Sequence, residues 1–554
     1  MRWMTGVSRE AASPTSADRQ DDSPRFAIMF RRTMSRPSQA SQLAGKVHLF
    51  GHAYVRLVAS PRVAIALIAS ALVWEFGVLF LKAGRTLFWF DELLTFHVSA
   101  LQPFSLLWRA LQAGADGMPP GYYALVRFAR MLPADPQVTL RLPSILGYIL
   151  SLLGVYWFAR KKMPAVTALT AFFLIALSPF REFALDARPY SLLVGFLAVS
   201  AAIWQRIDQK RFMTLLFAIF LTLAVSSHYL AVVAILCFGI AELAWTLLSR
   251  RIRWRVWAAC LFAAFPFLLG LPTLMHFREI FGKNFWSQPT WGLTFSTYRS
   301  YLGFDSMLAL VLVLLLGIVV GGSLLRTLRN HEESTDSDFS PPEMCLVGSF
   351  LFYPAFLVLL TKLLGSGYTP RYGWPGILGL ALASAYLFHA VRSRSSSAHL
   401  LGALLIAFAV QGAVDLKWLS RAGPAGVDAR WTRLAAISRT EPAIPVVVGS
   451  GHTYLEAAEY APPQLRARLV RIVDADISTR LIGSDSNDKV TRLLAQFVPL
   501  RVEDLASFQA AHQRFILCSG DVAHDWFTQY LVETGYHLKL LAKDAGNSLY
   551  MVRR

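Results

Sequence analysis

The sequence predicts an all-α polytopic membrane protein of about eleven transmembrane helices with a small C-terminal α/β domain outside the membrane. Three observations carry this. In 554 residues, 55% are hydrophobic and 16% charged, with a mean hydropathy of +0.44, which is more apolar surface than one soluble core can hide. Long apolar runs recur between residues 62 and 419 with basic residues in every second loop. After residue 420 the composition turns hydrophilic and short strands alternate with helices.

Residues 1–60 read as a disordered cytoplasmic leader, because the first forty or so are rich in Ser, Arg, Asp and Pro and lack apolar periodicity. Residues 61–420 form the transmembrane domain, with apolar runs at 62–82, 140–159, 164–180, 189–204, 212–227, 229–249, 256–275, 304–325, 344–364, 376–391 and 399–419. The 212–249 stretch is too long for one span and turns at Ser226-Ser227-His228. Basic residues gather at Arg160 to Lys162, Arg206 to Arg211, Arg250 to Arg255, Arg326 with Arg329, and Arg392 with Arg394. Lys and Arg accumulate in cytoplasmic loops, so the amino terminus is expected inside and the carboxyl terminus outside an inner or plasma membrane.

The outside loop 83–139 is long and half apolar, and its Leu101 to Ala113 stretch suits an interfacial amphipathic helix. Aromatic clusters at Phe88 to Phe90 and Trp286 to Trp291 suit the headgroup level. In 421–554, Ile444 to Val448, Leu469 to Val473 and Phe515 to Cys518 read as strands and His452 to Tyr460 as a helix. Gly449-Ser450-Gly451 follows the first strand, where a plain turn is favoured over a phosphate loop. Cys237, Cys260 and Cys345 lie in apolar stretches and Cys518 in the hydrophilic region, which gives neither a disulfide framework nor zinc spacing. The net charge of +19 does not indicate nucleic acid, because the basic residues are spread over short loops.

Chemistry-bearing residues cluster at the outside ends of the spans. Asp91-Glu92 leaves the first span beside Trp89 and Phe90, either as a solvated helix end or as a functional pair whose burial among aromatics costs solvation. Asp116 to Tyr123 reads alone as a rigid turn fixed by two prolines. Glu182 to Tyr190 sets acids and Arg188 between the third and fourth spans, as a structural ion pair or as a site. His228 sits on an apolar hairpin, where a satisfied core histidine is the commoner outcome.

In this order the motifs resemble the C-type (GT-C) superfamily of integral membrane glycosyltransferases, particularly bacterial relatives of protein O-mannosyltransferases and lipid A aminoarabinose transferases. The Asp91-Glu92 pair follows the first helix, Asp116-Gly117-Met118-Pro119-Pro120-Gly121-Tyr122-Tyr123 lies in the first outside loop, and Asp186-Ala187-Arg188-Pro189-Tyr190 follows the third helix. Arg141 to Ser144, His228-Tyr229 and Pro370-Arg371-Tyr372 also look like family features; the likeness spans about 60–390 and is strongest over 88–192. Met118 stands where the family has His, so that contact is not carried over.

The resemblance implies a GT-C-like fold and transfer of a sugar, hexosyl or pentosyl and mannosyltransferase-like, from a polyprenyl-phosphate donor to a glycan, lipid or protein hydroxyl of the cell envelope. Lipid phosphate leaves readily, so the reaction needs a base more than an acid. Asp91 would supply it, with Glu92, for inverting attack on the anomeric carbon. Asp116, Tyr122, Tyr123, Asp186, Arg188, Tyr190, His228 and Arg371 are the expected substrate-binding residues, the two arginines facing the phosphate. The sequence assigns no certain cofactor; Glu92 and Asp116 are compatible with a divalent cation, whose use the sequence leaves open. The rival readings are a transporter or flippase, whose acids would normally lie at the membrane midplane, and a non-catalytic protein with a degenerate site.

Overall fold

The computed structural model describes residues 60–282, 284–303, 318, 321–322, 339–390, 394–423, 429–439, 441–543 and 546–554. The leader expected over 1–60, nearly all of the 304–325 run, and Arg326, Arg329 and Arg392 lie outside the described residues. Every other apolar run named above is helical.

Among the described residues five helices are long and apolar enough to cross a membrane: Pro61–Ala83, Pro136–Arg160, Tyr229–Ser249, Trp254–Phe281 and Ser397–Arg421. Two bent pairs, Ala165–Ala176 with Pro179–Leu185 and Pro341–Leu351 with Tyr353–Leu364, raise this to as many as seven; they turn by 61° and 59°. Pro179 and Pro354 stand just past the breaks, where a residue without an amide hydrogen cannot continue the preceding helix. Tyr190–Trp204, Phe212–Ser227 and Gly376–Ala390 are shorter apolar helices. The five long helices, the two bent pairs and these three shorter helices correspond to ten of the eleven apolar runs, and the eleventh, 304–325, lies almost wholly outside the described residues. The Tyr190–Trp204 helix is buried at every position, which is why its sequence is apolar all round.

Small residues set how closely the helices meet. A β-carbon at Gly147 would lie 2.3 Å from the Leu192 Cα, and one at Gly195 would lie 2.2 Å from the Gly147 carbonyl oxygen. Pro136–Arg160 and Tyr190–Trp204 are thus pressed together. This brings Arg141 and Ser144 of the first beside the Ala187-Arg188 segment that leads into the second, and Ser144 Oγ donates to the Arg188 carbonyl at 2.8 Å.

The 83–139 loop folds into helices Phe90–Ala100, Phe104–Gln112 and Pro120–Ala129. The second lies within the expected amphipathic stretch: it buries Leu107, Ala110 and Leu111 and exposes Phe104. At the predicted turn, the Phe212–Ser227 helix ends, His228 is extended, and the chain re-enters a helix through Tyr229–Ala231.

The C-terminal part is a six-stranded sheet in the order β3-β2-β1-β4-β6-β5. Its strands are β1 Val446–Val448, β2 Leu469–Val473, β3 Val502–Asp504, β4 Arg514–Gly520, β5 His537–Lys543 and β6 Asn547–Arg553. The first four run parallel, whereas β6 is antiparallel to β4 and β5 to β6. The three strands read from sequence are β1, β2 and β4, which are buried and apolar. The Gly449-Ser450-Gly451 segment is a helix cap: Ser450 Oγ accepts from the His452 amide, and Gly449 has Asp525 packed where a side chain would go.

Candidate active site

Asp91 and Glu92 open the Phe90–Ala100 helix directly after an extended Trp89, and there they part ways. Glu92 turns inward and is 1% exposed. It accepts from Arg141 Nε at 2.7 Å, Arg141 Nη2 at 2.6 Å, the Ala187 amide at 2.7 Å and the Trp89 amide at 3.3 Å. Arg141 completes its own bonds on the carbonyls of Ala83, Thr86 and Leu87. This cluster ties the end of the first long helix to Pro136–Arg160 and to the 187 segment, and its hydrogen-bonding capacity is filled. Expected beside Asp91 in the chemistry, Glu92 lies outside the cavity described below, with its oxygens engaged by protein donors.

Asp91 faces the other way. Its carboxylate is paired with Arg371, and its main-chain carbonyl accepts from Arg188 Nη1 at 3.3 Å. Burial disfavours its charge, but the Arg371 and Arg188 guanidiniums more than offset this and hold its carboxyl below the ordinary range. Arg371 comes from the Pro370–Gly373 turn, 280 residues away. Its guanidinium lies 5.7 Å from the Trp89 ring and 5.8 Å from both Tyr190 and Trp286, an aromatic collar that holds a cation without neutralising it.

Arg188 forks onto Asp116, Nη1 at 2.8 Å from Oδ2 and Nη2 at 3.2 Å from Oδ1. Asp116 also accepts from the Gly117 amide at 2.7 Å and from the Tyr123 hydroxyl. Tyr122 donates to the Ala187 carbonyl at 2.6 Å. Both tyrosines are fully buried and brace the loop. Asp186, half-buried, accepts from Trp89 Nε1 at 3.2 Å. Desolvation, then the nearby Glu92 and Asp91 charges, pushes its carboxyl up to about 7. His228 Nδ1 accepts from the Leu230 amide at 3.2 Å, which leaves the proton on Nε2. Burial, with Arg188 and Arg371 nearby, pushes this imidazole down to about 3 and keeps it neutral.

A cavity of about 190 Å³ opens at this point, and Asp91, Asp116, Arg188, His228 and Arg371 all line it. Met118 supplies an apolar wall where the family pattern has His. Among the described residues, four buried polar atoms in and around the cavity have no partner: Arg188 Nε, Arg371 Nε, His228 Nε2 and the Tyr190 hydroxyl. Native proteins rarely strand buried donors, so a cluster of them marks where a polar ligand fits. All four can donate, which suits an anion.

The sequence did not reveal the roof of the cavity. Ser486, Asn487 and Val490 reach it from the C-terminal α/β part, and Phe277, Phe281 and Phe285 add an apolar side. The roof is held by Ser484 Oγ and Lys489 Nζ, which donate to the carbonyls of Asn284 and Ile280 at 2.7 and 2.6 Å. No spacing rule links residues two hundred positions apart, so nothing in the sequence pointed to them.

No protein-family model and no curated protein matches this chain. Among solved structures, ArnT from Cupriavidus metallidurans bound to undecaprenyl phosphate aligns with a TM-score of 0.51 at 14% identity, over 89% of this chain and 98% of that one. Its apo state aligns with the same score and identity over 88% and 97%. An Archaeoglobus fulgidus oligosaccharyltransferase in complex with Zn and sulfate is more distant, with a TM-score of 0.46 and 12% identity over 87% of this chain and 72% of that one. Identity this low with near-complete coverage is a likeness of fold, and the fold is the one that the sequence motifs implied.

Proposed function

We propose that this chain is a membrane glycosyltransferase that moves a sugar from a polyprenyl-phosphate donor to an acceptor hydroxyl, with inversion at the anomeric carbon. The observation that carries this reading is the set of unpaired donors on Arg188, Arg371 and His228 around a cavity that also holds Asp91. A transporter needs no carboxylate facing two arginines at one end of its spans, whereas a lipid phosphate leaving group needs cations and its acceptor needs a base. The fold shared with a protein solved with undecaprenyl phosphate supports the same donor class.

The chemistry follows from the residues. The donor phosphate takes up the free capacity of Arg371 and Arg188. As Arg371 turns to the phosphate, the cation holding the Asp91 carboxyl down is shared, and the basicity of Asp91 rises. Asp91 then accepts the proton of the acceptor hydroxyl while that oxygen bonds to the anomeric carbon and the bond to the phosphate oxygen breaks. Neutral His228 donates through Nε2 to a sugar or phosphate oxygen. Asp116 keeps Arg188 aimed at the cavity edge, and Glu92 with Arg141 braces the chain behind it.

The acceptor belongs to the cell envelope in this reading, and a hexose or pentose, mannosyl by the resemblance, is the sugar. The site faces outward from an inner or plasma membrane, with the amino terminus in the cytoplasm. A phosphatase fusion after Arg430 is then active; an inactive one, with a cytoplasmic reporter active at the same point, contradicts the orientation. The test of function is transfer from a polyprenyl-phosphate sugar by detergent-reconstituted protein. Asp91→Asn lowers turnover by about 10²- to 10⁴-fold while the protein stays monodisperse. A loss within about threefold is too small for a removed base and revives transport.

A further inference from the structure

The C-terminal sheet has a switch point. From β1 the chain moves outward to β2 and β3, then returns to the other side of β1 as β4. In open parallel sheets of this kind the crevice at the carboxyl ends of the two strands flanking the reversal is where ligands bind. Here those strands are β1, ending at Val448, and β4, ending at Gly520.

Three metal-ligating side chains meet at that crevice. His452 follows β1 in the first turn of the Gly451–Tyr460 helix, Asp521 follows β4 directly, and His524 lies three residues on. Their ligand atoms all lie within 4.8 Å of one another. His452 Nδ1 is 3.0 Å from Asp521 Oδ2, and His524 Nδ1 is 2.9 Å from both Asp521 oxygens. Ser450 Oγ donates to the same carboxylate at 3.2 Å. The two imidazole rings are 4.3 Å apart, and His452 lies 4.3 Å from the Phe90 ring on its other side.

Two further features separate this group from a plain ion pair. Asp521 has a φ of +49°, a left-handed conformation uncommon outside glycine though more tolerated by Asp than by most residues, and it aims the carboxylate between the two histidines. Among the described residues Asp521 has no Arg or Lys partner. Asp91, Glu92 and Asp116 each have an arginine. The partners of Asp521 are instead two histidines and Ser450, and the histidines are themselves able to ligate a cation.

We propose that His452, Asp521 and His524 bind one zinc-class divalent cation through the two Nδ1 atoms and an Asp521 oxygen, with a fourth position open. Zinc favours two imidazoles and a carboxylate, and bonds of about 2.0–2.1 Å set tetrahedral ligand separations of about 3.3 Å. The two His–Asp separations are a few tenths of an ångström shorter and all three ligand atoms lie within 4.8 Å of one another, so binding needs only small side-chain adjustments. Each neutral imidazole moves its proton from Nδ1 to Nε2, and the metal takes the freed lone pair. The side chains are about a third exposed, which leaves the ion an entry path. A bound ion locks the loops after β1 and β4 together and fixes His452 against Phe90, the residue before Asp91. The site is independent of the transfer reaction proposed above.

The test uses the full-length protein in detergent, stripped with a chelator and titrated with Zn²⁺ and, separately, Co²⁺. Elemental analysis should give one zinc per chain, with a melting temperature that rises with the logarithm of free zinc. Co²⁺ should give the intense visible absorption of a four- or five-coordinate N/O site. His524→Gln and Asp521→Asn should abolish the stoichiometric ion while melting as the stripped parent does. Failure of the parent to hold one ion, a weak octahedral cobalt spectrum, or retention of the ion in the His452→Gln/His524→Gln protein overturns the site. Should a variant not fold, the cobalt spectrum of the parent decides alone. Because every readout is metal content, spectrum or melting, an inactive protein that binds zinc contradicts the transferase reading and not this one.

Discussion

Two ion-pair clusters begin at adjacent residues and are built to opposite ends. The Glu92–Arg141 cluster is closed: every nitrogen of the guanidinium has an acceptor, the carboxylate accepts four bonds, and both side chains are 1% exposed. The cluster of Asp91, Arg371, Arg188 and Asp116 has the same residue types but borders a cavity and leaves Nε of both arginines unpartnered. Removing one member of a filled buried pair strands a charge, whereas an unfilled one has capacity held for something else. In the proposed reading the first cluster is structural and the second carries the chemistry, although their acids are neighbours in sequence.

That assignment can be broken by exchanging the expected consequences. The largest effect on activity should come from Asp91→Asn, about 10²- to 10⁴-fold, with melting near that of the parent. Arg141→Ala should do the reverse and cost about 3–5 kcal/mol of stability, read as reduced yield and a lower melting temperature in detergent. If Arg141→Ala folds normally and only loses turnover, the two clusters share one role and the contrast fails.

A smaller effect sharpens the boundary between them, where Asp186 accepts from Trp89. Its carboxyl is raised from 3.8 to about 7 by burial and by the Glu92 and Asp91 charges. A raised carboxyl favours the folded state fully below its unfolded pKa, and this contribution is lost as pH rises through the folded value. The parent should therefore lose stability between about pH 4 and pH 7, and Asp186→Asn should flatten that slope while leaving the rest of the curve in place. A slope unchanged by the substitution would assign the titration to another group.

Much of the proposed site was legible in the sequence because its residues sit at chain positions that leave the apolar runs. Asp91, Asp116, Arg188, His228 and Arg371 do converge on one cavity. Their division of labour was not legible. Nothing at residues 91 and 92 says that one side chain meets Arg371, 280 positions on, and the other a fully engaged Arg141. Tyr122 and Tyr123 read as binding residues, yet their hydroxyls go to the Ala187 carbonyl and Asp116.

In the sheet, the strands seen from sequence are the buried apolar ones. β3, Val-Glu-Asp at one end of the sheet, is as short as β1 but polar and partly exposed, so it shows no apolar run. At the other end β5, His-Leu-Lys-Leu-Leu-Ala-Lys, is exposed along most of its length, so burial imposes no apolar run. β6 alternates more clearly, but the three residues that separate it from β5 in the sequence contain no Asn-Gly or Asp-Gly hairpin signal.

The most direct measurement is the affinity of the purified protein for undecaprenyl phosphate without sugar, because it probes the open cluster before any chemistry. A lost charge-assisted hydrogen bond is worth about 1.5–3 kcal/mol, so Arg371→Ala should weaken binding by about 10- to 150-fold. Asp91→Asn, which frees Arg371 from its partner, should bind as tightly as the parent or tighter. Equal affinity in the parent and in Arg371→Ala would contradict the account, because the stranded donors would then not be holding a place for phosphate.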